Sequence, residues 1–337
     1  MENQQFSNAR QLAIAATELG DVTLPGELGP LQFLQQSNTH FDTGSGVPAV
    51  AVNSSGVVLS VHASGGKYYY DRGQVTIPSN GVTWHGSSKE YGSGSGDPCI
   101  AIDAQNNVVV LQWDQSHGQI FFNTGSYDAA TAEISWLSKT PALLANGSLS
   151  PAVAANDAGV VVAAYLGTGT DGLYVYAQLG QLQAGNPIIW QPAGPLSLPR
   201  DVSGCSVTIN NNGDILLSVI SDTTTLTIYG SVAPGANSIS WSTVCAPRSF
   251  ALNSSIAIDD NAVAIETTFL DGLPSYTVGK LGSVGPNETV IKWAYPGWSV
   301  PNLPTSAKSV TFAVNGSYAV VLWQNDNKYY SGVAVGW

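Results

Sequence analysis

The chain has 337 residues, of which only 10% are charged and 44% are hydrophobic. Its 36 glycines, 18 prolines and nine tryptophans, together with many Val, Ile and Tyr residues, favour short strands joined by tight turns, so an all-β fold is expected. The formal net charge of −12, with 11 scattered Lys and Arg residues, leaves no basic stripe to neutralise phosphates and excludes nucleic acid as an expected partner.

The first twenty residues show no targeting pattern. They open with an acidic residue and contain no long apolar run, so no signal peptide is predicted. No later stretch is long enough to span a bilayer, and membrane insertion is not expected. We therefore expect a cytoplasmic or non-classically released protein.

An apolar-x-aromatic ending recurs along the whole chain. It is found at Phe33, Trp84, Trp136, Trp190, Trp241 and Trp293, at intervals of 51, 52, 54, 51 and 52 residues. A constant period of this length indicates a repeat protein. Since each ending alternates apolar residues on one face, these aromatic rings are expected to wedge between neighbouring repeats.

Each repeat has the same order of elements. Residues 46–63, 96–113 and 149–166 all read as strand, polar turn and strand, with the turns NSSG, AQNN and NDAG. A third strand such as KYYYDRG or QIFFNTG follows, and the Trp-ended strand is the fourth. Four antiparallel strands in about fifty residues is the pattern of a propeller blade.

The repeats predict one domain over residues 1–337, a six-bladed β-propeller with four antiparallel strands per blade. The last unit stops before its fourth strand, and residues 20–33 are expected to supply it, so that the N-terminal segment closes the ring. Residues 9–19 fit either a strand or a short helix, and a strand there would permit a seventh, partial blade. The expected repeats are about 34–84, 85–136, 137–190, 191–241, 242–293 and 294–337.

Motifs of catalysis and metal binding are absent from the sequence. The four histidines show no metal-ligand spacing, the three cysteines show no CxxC spacing, and the GSGSG run at 92–96 has no following helix. We therefore expect no metal, no cofactor, no catalytic residues and no enzymatic activity.

Aromatic and polar residues near the strand ends are the candidate sugar-binding set. An aromatic ring stacks on the apolar C–H face of a sugar, while a carboxylate, amide or imidazole fixes its hydroxyls. The alternative is that these aromatic rings fill the interfaces between blades. The candidate ligand-binding residues are Asp42, His62, Tyr91, Trp113, Tyr165 and Trp323.

The first unit carries a recognisable pattern, formed by Phe41-Asp42, Gly44, Pro48, Gly56, His62, Tyr69-Tyr70, Gly73 and Trp84. It resembles the repeats of the N-acetylglucosamine-binding propeller lectins of mushrooms (Agrocybe type) and related bacterial repeats. The resemblance is specific in the first three units only, and Asp and His occur together once, at Asp42 and His62.

The resemblance implies a multivalent, non-catalytic lectin for terminal N-acetylglucosamine or related glycans. The partners expected are glycans or glycoproteins, and a homodimer is compatible with the sequence. Two other functions stay open: a protein-interaction propeller, which would present a large apolar or charged patch, and a glycan-acting hydrolase, which would gather carboxylates on the central axis.

Overall fold

The computed structural model describes residues between 32 and 335, and all of the described elements are β-strands. The predicted elements at residues 9–19 and 20–31 lie outside the described residues. Within this range the structure leaves out residues 37–40, 45, 77–80, 170–171, 197, 199–201, 222–223, 250–254, 271–272, 286–287, 294–297, 300–308 and 316–317.

Strands β1 (Gln32–Gln36) and β2 (Asp42–Thr43) come first in the chain and belong to the last sheet. Sheets 1 and 2 each have four antiparallel strands and a short fifth strand beside the third. Their strands are β3 (Ala49–Val52), β4 (Val57–Ser64), β5 (Lys67–Thr76), β6 (Gly81–Trp84) and β7 (Lys89–Ser93), then β8 (Cys99–Ile102), β9 (Asn107–Asp114), β10 (Gln119–Asp128), β11 (Glu133–Trp136) and β12 (Ala142–Asn146).

Sheets 3 and 4 each have four strands. They are β13 (Ser148–Ala155), β14 (Val160–Gly169), β15 (Gly172–Gln181) and β16 (Gly194–Pro195), then β17 (Val202–Ile209), β18 (Asp214–Ser221), β19 (Thr224–Ser231) and β20 (Ser240–Ser249).

Sheets 5 and 6 complete the set. Sheet 5 has β21 (Ser255–Ile258), β22 (Val263–Leu270), β23 (Leu273–Gly285), β24 (Glu288–Trp293) and β25 (Trp298–Ser299). Sheet 6 has β26 (Ser309–Asn315), β27 (Tyr318–Asn325) and β28 (Lys328–Val335), with β1 and β2 both paired to β28.

The first strands of consecutive sheets contact one another in a closed cycle, and β26 returns to β3. They surround a central channel with an open volume of about 480 Å³. This arrangement confirms the predicted all-β propeller. The predicted completion of the last unit is also seen, because β1 pairs antiparallel with β28 and sets Phe33 opposite Ala334. Among the described residues there is no helix of the length and apolarity that a membrane crossing requires.

The core lies between the sheets, because successive side chains of each second strand point to opposite neighbours. In β4, Leu59 packs toward sheet 2 with Val108, whereas Val58 packs toward sheet 6 with Val320. All four side chains have 0% exposure. Each sheet is therefore buried on both faces, which explains the continuous apolar runs of the second strands.

The recurrent tryptophan lies against a glycine of the third strand. A Cβ atom on Gly73, Gly125, Gly180 or Gly230 would come within 3.2 Å or less of the Trp84, Trp136, Trp190 or Trp241 ring, respectively. The glycine thus provides the space in which the ring crosses the sheet.

One predicted fourth strand is wrong. Trp190 lies outside the strands, and the two-residue strand β16 pairs with β15 instead. Its ring nevertheless keeps its place beside Gly180, so the packing contact persists where the backbone ladder does not.

A buried Asn or Asp begins the inner turn of each of the first five sheets. In each, one side-chain oxygen accepts hydrogen bonds from the backbone N–H groups two and four residues later, at 2.8–3.2 Å. This Asx geometry fixes the hairpin without help from neighbours. The five residues are Asn53, Asp103, Asn156, Asn210 and Asp259, none more than 6% exposed.

The asparagines of this set also connect adjacent sheets. Asn53 Nδ2 donates to the backbone oxygen of Asp103 at 3.0 Å, and Asn210 Nδ2 donates to that of Asp259 at 3.0 Å. Asn156 Nδ2 donates to the oxygen of Asn210 at 3.3 Å. One side chain therefore satisfies its own turn and the next turn around the channel.

We predict that Asn53→Ala lowers the free energy of unfolding by about 2 kcal/mol, because buried backbone donors and the Asp103 carbonyl lose their partner. Urea unfolding measures the change. Asn186→Ala is the control, since Asn186 is exposed and contacts only its local turn. Equal stability of the two variants would contradict a role of Asn53 in joining the sheets.

Candidate functional site

The junction between sheets 6 and 1 is built by the closing segment, which we define as residues 41–44 and 46. Its backbone is held from both sides: Phe41 N–H donates to the Tyr329 oxygen at 2.9 Å, and Gly46 N–H donates to the Ala63 oxygen at 3.2 Å. Gln324 Nε2 donates to the Gly44 oxygen at 2.9 Å. The segment is thus fixed between the last and the first sheet.

Three titratable side chains meet at this junction. The closing segment contributes Asp42, β4 contributes His62 and β5 contributes Asp71. His62 Nε2 lies 3.4 Å from Asp42 Oδ2, and His62 Nδ1 lies 3.3 Å from Asp71 Oδ2. The His62 and Asp71 side chains are 1% and 5% exposed, and that of Asp42 is 20% exposed. We call these three residues the seam cluster.

The polar atoms of the seam cluster are not fully satisfied. Asp42 Oδ2, His62 Nδ1 and Asp71 Oδ2 are buried and have no well-aligned hydrogen-bond partner among the described residues. The pKa of Asp71 is raised to about 6, mainly by burial; the hydrogen bond with His62 opposes the shift and the Asp42 carboxylate adds to it. The ionised form of Asp71 is therefore disfavoured at this position.

The seam cluster occurs at one junction only among the described side chains. The β-ladder registers place Gln112, Tyr165, Val219 and Trp323 at the His62 position of other sheets. At the junction of sheets 1 and 2, fifty residues further along the chain, Gly92 replaces Asp42 and Asn123 replaces Asp71. Among the described residues, a cluster of two carboxylates and an imidazole is therefore specific to the junction of sheets 6 and 1.

The structure brings Asp42 and His62 together, as the sequence analysis expects, but distributes the other candidates around the ring. Tyr165 and Trp323 are only 5% and 4% exposed and pack in the interfaces of their own sheets. Tyr91 stacks on Trp136 at 5.3 Å and takes the place that Phe41 has against Trp84. These three rings contribute to packing in this structure.

The predicted equivalence of Trp113 with His62 is wrong by one residue of register. The pairing of Cys99 with Leu111 matches that of Ala49 with Val61, so Gln112 and not Trp113 is equivalent to His62. Trp113 points to the opposite face, where it packs toward sheet 3 and over Gly96. The one-residue difference moves the ring from one interface to the next.

Sequence reasoning missed the partly exposed aromatic rings of the third strands. Tyr69, Tyr176 and Tyr330 are each partly exposed and stack on the buried ring at the His62 position. The centroid distances are 5.5 Å for His62–Tyr69, 5.6 Å for Tyr165–Tyr176 and 5.8 Å for Trp323–Tyr330, with interplanar angles of 15°, 9° and 9°. The signal was present in the third-strand motifs KYYY, LYVY and KYYS.

The mouth of the channel is a second place where carboxylates meet. Asn211 Nδ2 donates to Asp157 Oδ2 at 3.0 Å and to Asp260 Oδ2 at 2.9 Å. The backbone N–H of Asp157 donates to Asn211 Oδ1, and the backbone N–H of Asn211 donates to Asp260 Oδ1. The two carboxylates are therefore used to join three turns.

Close packing at the seam cluster requires a glycine at position 44. A Cβ atom there would collide with the Tyr329 hydroxyl and lie 2.8 Å from His62 Cδ2. The Tyr329 hydroxyl cannot retreat easily, because it donates to the Gly46 oxygen at 2.7 Å.

We predict that Gly44→Ala lowers the free energy of unfolding by about 2 kcal/mol through overpacking of the junction. Chemical unfolding compared with Gly194→Ala tests this, because a Cβ atom on Gly194 meets no atom within 4 Å. A loss of the same size in both variants would show that the effect comes from the backbone and not from the junction.

The raised pKa of Asp71 predicts a pH dependence of stability. Because its folded pKa of about 6 exceeds the ordinary value of 3.8, its contribution to stability is complete below about pH 4 and is lost as the pH rises to about 6. Asp71→Asn should remove this loss, which is on the order of 3 kcal/mol for a pKa raised from 3.8 to about 6.

Urea unfolding at several pH values between 4 and 7 measures the effect, as the difference between wild type and Asp71→Asn. Asp128→Asn is the control, since local hydrogen bonds lower the pKa of that exposed carboxyl. A wild-type and Asp71→Asn pair with parallel pH profiles would contradict the prediction.

No family model and no curated protein matches the chain. Solved structures are similar in fold. A Hadza microbial sialidase has a TM-score of 0.55 at 10% identity, with 86% of this chain and 65% of that chain covered. The GH93 alpha-L-arabinofuranosidase of Fusarium graminearum has a TM-score of 0.52 at 10% identity, with 86% and 92% covered. The PQQ-bound aldose sugar dehydrogenase of Streptomyces coelicolor has 0.52 at 12% identity, with 93% and 99% covered.

These neighbours correct one expectation. The absence of catalytic motifs led to the prediction that the chain is not an enzyme. Three similar structures are a sialidase, an arabinofuranosidase and a sugar dehydrogenase, at only 10–12% identity. The prediction of no enzymatic activity is therefore not upheld, because a propeller can carry catalytic residues that no local sequence motif reveals. What the similarity itself identifies is the β-propeller fold.

Proposed function

We propose that this protein binds carbohydrate at the outer ends of the junctions between its sheets, with the junction at Asp42 and Tyr69 as its main site. The observation that carries the proposal is a partly exposed tyrosine ring and a partly exposed carboxylate that both contact one buried histidine. A ring and a carboxylate side by side are what a sugar needs for stacking and for hydroxyl recognition.

The Tyr69 ring is held in place by the side chains beneath it, and we call an aromatic ring supported in this way a platform. Tyr69 stacks on His62 at 5.5 Å, and His62 is fixed in turn by Tyr329 at 4.9 Å and by the two carboxylates. A pre-positioned ring loses little conformational entropy when a ligand stacks on it.

The repetition of the platform supports several binding positions. Tyr176 and Tyr330 have the same stacked support in sheets 3 and 6. We take each of the six sheets as one blade, so that the platforms lie around a six-bladed ring. A single sugar would bind with roughly millimolar affinity, and two or more positions would raise avidity by about 10² to 10⁴ on a multivalent surface.

Terminal N-acetylglucosamine is the sugar we propose to test first, together with glycans or glycoproteins that display it. The resemblance of the first unit to the N-acetylglucosamine-binding propeller lectins supports this choice, since its pattern includes Asp42, His62 and Tyr69. Neighbours of the same fold act on sugars, as their names state, which agrees with a carbohydrate ligand.

A glycan array probed with the labelled protein, with free N-acetylglucosamine as competitor, tests the proposal. We expect binding to glycans ending in this sugar and its loss with the competitor. Binding to other termini would keep the site and change the sugar. An array without signal would contradict carbohydrate binding and favour a protein-interaction propeller.

Variants at the main site give the sharper test. We predict that Asp42→Asn weakens sugar binding about tenfold through loss of a charge-assisted hydrogen bond, and that Tyr69→Ala weakens it similarly while Tyr69→Phe keeps it. Titration calorimetry measures affinity, and Asp128→Asn serves as a carboxylate control. Unchanged binding in both Asp42→Asn and Tyr69→Ala, with normal thermal stability, would exclude this junction as the site.

A further inference from the structure

The seam cluster places two carboxylates on either side of one imidazole. Asp42 and Asp71 each lie within 3.4 Å of a His62 ring nitrogen, and among the described residues neither forms a salt bridge with a Lys or Arg. Arg72, the next residue in the chain, turns to the other face, where its Nε donates to the Ala132 oxygen at 2.8 Å. Buried carboxylates in this situation are commonly paired with a cation or a proton.

The distances within the cluster match those of a metal site. One ligand atom from each residue can be chosen so that all three lie within 4.8 Å of one another. Two ligand atoms on one tetrahedral ion, with bonds of about 2.0–2.2 Å, lie roughly 3.3–3.6 Å apart. The 3.4 Å between His62 Nε2 and Asp42 Oδ2 falls in this range.

The two ring nitrogens of His62 have different surroundings. Nδ1 faces the deeply buried Asp71, whereas Nε2 faces Asp42, whose side chain is 20% exposed. Histidines that bind metals commonly donate the other ring N–H to a carboxylate, which fixes the tautomer and the ring orientation. Asp71 is placed to do this, so that the Nε2 lone pair points toward Asp42 and the surface.

We infer that the seam cluster binds one divalent transition-metal ion of the Zn²⁺ class through His62 Nε2 and the Asp42 carboxylate. Asp71 is the positioning residue that accepts the Nδ1 proton. An imidazole with carboxylates suits Zn²⁺, Co²⁺, Ni²⁺ or Mn²⁺. Two protein ligands leave coordination positions for solvent or for ligand hydroxyls. The inference goes beyond carbohydrate binding, because the ion requires no sugar.

The junction of sheets 1 and 2 supplies an internal comparison. There Gly92, Gln112 and Asn123 take the three positions, so the same backbone arrangement offers neither an imidazole nor a carboxylate. Gln112 also shows that a glutamine fits the His62 position, and His62→Gln is therefore expected to fold.

Titration of the EDTA-treated full chain with Zn²⁺, without sugar, tests the inference. We expect one ion per chain with a dissociation constant in the micromolar range or below, and a rise in melting temperature on binding. Co²⁺ should give d–d absorption without a sulfur charge-transfer band, since the ligands are nitrogen and oxygen.

Variants separate the seam cluster from other sites. His62→Gln and Asp42→Asn should abolish the one-equivalent binding, and Asp71→Asn should weaken it by about 10- to 100-fold. His117→Gln is the matched control, because His117 and Asp114 form an exposed pair at 2.7 Å. Absence of one-equivalent binding in wild type, or binding that survives His62→Gln, would overturn the inference. Loss of metal binding with intact sugar binding, or the reverse, would distinguish this inference from the proposed function.

Discussion

A buried Asn or Asp at the inner turn of each of the first five sheets is the interaction on which this ring depends. Its oxygen closes the hairpin, and in three sheets its amide group also binds the next turn, as Asn210 does with Asp259. The first strands are only four residues long in sheets 1, 2 and 5, so their ladders alone hold the centre weakly. Because the turns are linked side by side, the apolar second strands are brought into register between neighbouring sheets, and the core can form around the channel.

The repeat made the fold predictable, whereas the site was predictable only in part. The spacing of the tryptophans and the polar turns indicated the propeller, and the missing fourth strand indicated the pairing of Phe33 near the C-terminus. The short strand β16 was not predictable, since the Trp190 ring keeps its place through the gap at Gly180 without a ladder. Asp71 escaped notice because only the antiparallel ladder brings it under His62, and Trp113 was misassigned because one residue of register changes the face of a strand.

A repeat protein offers its own comparison for deciding between packing and function. Aromatic rings recur at the position of His62 and are explained by burial between sheets, as Tyr165 and Trp323 show. The residues that the structure describes at the His62 position of other sheets are uncharged, and burying two carboxylates beside an imidazole opposes stability unless something compensates them. The departure from the repeat therefore carries more functional information than the repeat does. It also lies where the chain closes the ring, so the proposed ligand binding and the ring closure would share the same residues.

The pairing of β1 with β28 has a consequence for how the protein is made. Nearly three hundred residues separate Gln32 from its partner strand, and at about 5–20 residues per second a ribosome takes on the order of 15 to 60 seconds to deliver that partner. Throughout this time the early sheets can form, but the N-terminal strand has no ladder to join and Asp42 has no β28 to lie against. The nascent chain thus carries an unpaired strand edge until β28 has been made, and such an edge favours aggregation during that time.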